Sequence, residues 1–75
     1  MFEKMKLKKQ IKECKEQIES LEQKRERSQA ALLSAILKHE VPNDDDVDYF
    51  NEFTLKIEAE REKLHRFMGM LEAMG

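Results

Sequence analysis

An antiparallel hairpin of two long α-helices is the fold this sequence predicts, and three observations predict it. Apolar residues recur at steps of three and four along two segments, the period of a helix with one buried stripe. A single strong breaker, VPNDDD at 41–46, separates the segments. Finally, 40% of the residues are charged, with two glycines, one proline and no tryptophan, a composition of long helices rather than of a compact α/β domain. The 75 residues make one domain, 1–75, with no internal repeat and no linker.

The first helix is expected over about residues 3–40. Pro42 disfavours helical backbone at Val41, which places the stop near His39 or Glu40. The turn then covers 41–44, where Asn43 or Asp44 can accept hydrogen bonds from the free amides of the second helix. That helix runs from about 45 to 74, with Asp45, Asp46 and Asp48 suited to the positive end of its dipole.

A heptad rhythm runs along both helices. In the first, the seam is Ile11, Cys14, Ile18, Leu21, Arg25, Ser28, Leu32 and Ala35. In the second, it is Phe50, Phe53, Ile57, Glu60, Leu64, Phe67, Leu71 and Met74. A short connection forces the helices antiparallel. If facing residue numbers sum to 85, Ile11 meets Met74, Leu21 meets Leu64 and Leu32 meets Phe53. The two charges that interrupt the stripes, Arg25 and Glu60, then face each other. Such a polar layer would set the register, because sliding by a heptad would leave a charge unpaired. A ligand or partner site around Arg25 is the competing reading.

Apolar residues also lie off the seam: Leu33, Ile36 and Leu37 on the first helix, and Tyr49, Leu55 and Ala59 on the second. They form a candidate association face, so the hairpin is expected to dimerise into a four-helix bundle. Docking of a hetero-partner helix on the same face is the alternative, and membership of a larger coiled-coil complex is a third.

The charges are polarised along the chain. Lys4, Lys6, Lys8, Lys9, Lys12 and Lys15 crowd the start, whereas Glu40, Asp44, Asp45, Asp46, Asp48 and Glu52 cluster at the turn. In the register above, the first ten residues or so overhang the second helix, with Phe2, Met5 and Leu7 among the lysines. Lysines oppose the dipole at a helix start, so this segment is a candidate contact for a polyanion or a membrane surface. A solvated helix end is its ordinary explanation, and the net charge of −2 argues against a general nucleic-acid role.

No residues are expected to be catalytic, to bind a cofactor or to hold a metal. Asp44, Asp46 and Asp48 have the alternating spacing of a calcium loop, but Tyr49 stands where its sharp turn needs Gly and Leu55 where its Glu belongs. His39 and His65 have no ligand partners at zinc spacing. Cys14, at a seam position, reads as a small core residue.

In architecture the expected bundle is similar to the small plasmid RNA-binding repressor built from two helical hairpins, a similarity of shape without shared motifs. RSQAAL, at Arg27 to Leu32, resembles the start of the serine–glutamine motif of the small hairpin phosphatases that act on sporulation regulators. That motif continues with acidic residues, including the catalytic aspartate. Here Ala30, Ala31 and Leu32 follow, so the resemblance implies no activity.

The functional expectation is a small non-enzymatic protein–protein interaction or adaptor module, of a regulatory kind, working as a helical-hairpin homodimer. A nucleic-acid-binding regulator using the lysine-rich start is the alternative. The lone cysteine suits a reducing compartment, and no apolar run spans a bilayer, so the expected location is cytoplasmic.

Overall fold

The computed structural model describes residues 2–75, with side chains from Glu3 onward. It is the all-α hairpin that the sequence predicts. Helix α1 spans Phe2–Leu37 and helix α2 spans Asp44–Ala73, and the described residues contain no strand. The hairpin measures 57 × 16 × 14 Å, close to the roughly 54 Å length of a straight 36-residue helix.

Helix α1 stops at Leu37, three residues before the expected Glu40. Its end is a Schellman closure. The His39 amide donates to the Ile36 carbonyl at 3.0 Å, and the Glu40 amide donates to the Ala35 carbonyl at 2.9 Å. His39 takes the left-handed backbone this closure requires, with φ 57. Pro42 explains why α1 must finish upstream, since in a continued helix its ring would clash with the Lys38 carbonyl. Asn43 then caps α2, its side chain accepting from the Asp45 amide at 3.0 Å. Asp44, Asp45 and Asp46 occupy the first turn, next to the positive end of the dipole.

The core is the heptad seam. Leu7, Ile11, Cys14 and Leu21 are buried from α1, and Ile57 from α2. Taking Ile11 as position a and Cys14 as d in α1, and Phe50 as a and Phe53 as d in α2, all five occupy a or d. Of the other apolar seam residues, Ile18, Leu32, Ala35, Phe50, Phe53, Leu64, Phe67 and Leu71 are half-buried and Met74 is exposed.

The register differs from the expected one by about a heptad. Leu7 is only 4% exposed, whereas the expected pairing left it with no residue to face. Met74, the expected partner of Ile11, is 44% exposed. Two cross-helix contacts locate the pairing: Cys14 with Glu60, whose numbers sum to 74, and Glu22 with Arg61, whose numbers sum to 83. One heptad below 85 is 78, which lies between them and sets Leu7 level with Leu71, Ile11 with Phe67 and Leu21 with Ile57.

The loop explains the slide. Leu37 and Asp44, the helix ends, sum to 81. Pairings that keep a residues opposite d residues differ by whole heptads, and of these 78 is nearer to 81 than 85 is.

Candidate functional site

A polar contact interrupts the seam at Cys14. Glu60, expected opposite Arg25, reaches the thiol instead. The Cys14 S–H lies 3.2 Å from Glu60 Oε2 and 3.4 Å from the Glu60 carbonyl oxygen, so one proton is shared between two acceptors. Arg25 lies eleven residues further along α1, about 16 Å from that layer. It is half-buried, and no ion pair involves it among the described residues. The Arg25–Glu60 layer is therefore not formed, because the heptad slide carries Glu60 toward the open end of the hairpin.

Burial pushes the Cys14 thiol pKa up. The hydrogen bond to Glu60 and the negative charge of that carboxylate push it further, while Lys63 pulls the other way. The result is a protonated thiol at neutral pH, a poor nucleophile. An open groove of about 350 Å³ lies beside it, lined by Gln10, Glu13, Cys14, Gln17, Glu60, Lys63 and Phe67. No cluster of three His, Cys, Asp or Glu side chains among the described residues is placed to hold a metal ion.

Among the described residues, the interhelical ion pair is Glu22–Arg61, at 2.8 Å. Both residues occupy heptad position e. Antiparallel packing places the two e rows along one edge of the seam and the two g rows along the other. Side chains lean toward the N-terminus of their own helix, which carries Glu22 and Arg61 toward each other despite their five-residue offset. The hairpin thus has an Arg61 edge and a Lys63 edge, and the groove beside Cys14 opens on the latter.

These edges sort the expected association residues. All six are exposed, but they do not share one face. Leu33 and Ile36 lie on the Arg61 edge, near Val47. Tyr49 and Ala59 lie on the Lys63 edge, where the Tyr49 ring stacks on Phe53 with centroids 6.4 Å apart. Leu37 and Leu55 point away from the seam on the backs of their helices, at heptad position f.

The lysine-rich start does not overhang. Leu7 is buried, and Glu3, Lys6, Leu7 and Gln10 line a shallow groove with Met70 and Met74 of α2. The Phe2 side chain lies outside the described residues. Lys8, Lys12 and Lys15 lie on the Arg61 edge, and Lys4, at a seam position one turn before Lys8, continues their stripe, whereas Lys6 and Lys9 point elsewhere. Lys4 is half-buried and the other five are exposed, and none has an ion-pair partner among the described residues.

No family model, no curated protein and no solved structure matches the chain.

The Cys14–Glu60 contact and the Glu22–Arg61 pair were both missed by the sequence reading. One signal pointed to the first: Leu7 extends the apolar stripe of α1, and the expected register left it unpaired. Sliding by a heptad gives Leu7 a partner and carries Glu60 toward Cys14.

Proposed function

We propose that this chain is a non-enzymatic protein–protein interaction module, of an adaptor or regulatory kind, and that its first partner is a second copy of itself. The assembled form is a four-helix bundle of two hairpins, working in the cytoplasm, where Cys14 remains a free thiol.

The supporting observation is the surface left over. The 8.9 kDa chain exposes 6174 Å², against about 4,800 Å² for a compact monomer of that mass. The excess, about 1,400 Å², exceeds the roughly 800 Å² per partner that a standard interface hides. Its radius of gyration is 17.0 Å, where about 11 Å is typical of 75 residues. Two helices leave both edges of a seam wet, and a second pair of helices dries one.

Sedimentation equilibrium across a wide concentration range tests this. The expected mass is that of two chains. Replacing Leu33 and Ile36 with Gln should give a monomer whose circular dichroism stays helical. A wild-type chain that remains a folded monomer at millimolar concentration would remove self-association from the reading.

The alternative, a nucleic-acid-binding regulator, draws on the unpaired stripe of Lys4, Lys8, Lys12 and Lys15. The stripe runs into Glu19, Glu22 and Glu26 on the same edge. A phosphate backbone tracking α1 would meet repulsion from its middle onward.

A further inference from the structure

We infer that the second copy docks antiparallel against the Arg61 edge, so that the turn of each hairpin covers the open end of the other. This rests on the self-association proposed above and adds its face, its direction and its residue pairs.

The direction follows from charge. Around the turn, residues 36–52 carry Glu40, Asp44, Asp45, Asp46, Asp48 and Glu52 against Lys38 alone, a net of −5. The open end consists of residues 2–16 and 61–75. It carries nine basic residues (six lysines of α1 with Arg61, Lys63 and Arg66) and five acidic ones (Glu3, Glu13, Glu16, Glu62 and Glu72), a net of +4. A parallel pair would set two acidic turns side by side. An antiparallel pair sets each acidic turn on a basic end, and complementary potentials of this kind fix orientation.

The face follows from one row of α1. Heptad position b holds Met5, Lys12, Glu19, Glu26 and Leu33, all exposed on the Arg61 edge. Read backwards against itself about Glu19, the row is complementary. Met5 meets the second copy's Leu33, and Lys12 meets the second copy's Glu26. Met5 is 71% exposed and Leu33 52%, so the two apolar ends have surface to hide. In the neighbouring e row, Lys15 comes level with the second copy's Glu22.

The midpoint also fits. Glu19 lies at the centre of α1, which spans Phe2–Leu37. A two-fold axis there sets the two Glu19 carboxylates near each other, and the Glu22–Arg61 pair of each chain lies within a helical turn of that level. Two Arg61 guanidiniums thus offset the Glu19 charges. Three basic groups per chain (Lys12, Lys15 and Arg61) meet three acidic ones (Glu19, Glu22 and Glu26). The Lys63 edge has fewer exposed large apolar side chains, Tyr49 and Met70. Its b-row equivalent at position c, Lys6, Glu13, Ser20, Arg27 and Ser34, pairs Glu13 with Arg27 on reversal about Ser20, but its ends, Lys6 and Ser34, have no apolar surface to hide.

The test separates direction from assembly. Sedimentation of the wild-type chain first reports whether a dimer exists. Charge exchange, with Cys14 untouched, then reads the pairing: Lys12→Glu alone and Glu26→Lys alone should each weaken dimerisation roughly tenfold. The chain carrying both changes should recover it. Disulfide trapping in a Cys14→Ala background reads the direction. Glu19→Cys should cross-link to itself, and Met5→Cys should cross-link to Leu33→Cys when the two chains are mixed, with neither of these last two cross-linking alone. A dimer in which Leu33→Cys traps itself, or in which the double exchange does not recover affinity, overturns the inference while leaving self-association standing. A wild-type monomer overturns both.

Discussion

Cys14 occupies a core position that any small apolar residue would fill, yet its closest polar neighbour is a carboxylate. Burial and Glu60 both favour the protonated thiol, so its pKa is higher in the folded chain than in the unfolded one. The consequence for stability has a definite sign. Below the unfolded value, about 8.5, both states hold the proton and the contribution is fully present. As pH rises above it, the unfolded chain releases its proton first, and stability is lost until the folded pKa is passed. Denaturant unfolding between pH 7 and 9.5 should therefore show wild-type stability falling more steeply with pH than that of Cys14→Ala. Glu60→Gln, which removes the carboxylate charge, should give an intermediate slope. Equal slopes in all three proteins would mean that the folded environment does not hold the proton. This contact was not legible in the sequence, because Cys14 and Glu60 each look ordinary until the register is known.

The ends of the two helices show where local signals suffice and where they do not. Asn43 was readable as a cap because its amide oxygen has the geometry to accept from the second amide of the helix, and it does so at 3.0 Å. The stop of α1 was misread. A left-handed closing residue is usually glycine, and here the position is held by His39, which carries no such signal. A non-glycine residue in that region costs about 1 kcal/mol or more. His39→Gly should accordingly stabilise the chain by about 0.5–1 kcal/mol after the added freedom of the unfolded state is subtracted. In a domain of this size that is a rise of a few degrees in Tm. A lower Tm would mean that the imidazole makes a contribution the backbone geometry does not account for. The seam was legible from Ile11 onward, since side-chain period depends on local helix geometry alone, whereas Leu7, which extends it, was expected in an overhang. The pairing of the seam was not legible, because the register depends on where the loop begins.

At the scale of the whole hairpin, a three-residue error at the end of α1 becomes a heptad error along its full length. With a residues kept opposite d residues, the two stripes shift in steps of seven, so a small change in the loop selects between discrete pairings. In the pairing that forms, Arg25 sits level with Phe53 rather than Glu60 and is half-buried, a position where an arginine stem covers apolar surface while its charge stays solvated. Arg25 is then an interruption of the stripe and not one half of a buried ion pair. The two situations predict opposite signs for one substitution. In the pairing that forms, Arg25→Leu adds apolar surface at a seam position and leaves no carboxylate stranded, so stability should rise by about 1 kcal/mol. Had Arg25 faced Glu60, the same change would leave a buried charge alone and cost on the order of 3–5 kcal/mol. Denaturant titration at one protein concentration, repeated at a tenfold higher one to separate folding from association, measures the difference. A large loss of stability in Arg25→Leu would restore the Arg25–Glu60 layer and move every seam partner by seven residues. A gain would fix the register on Leu7 and the Cys14–Glu60 contact.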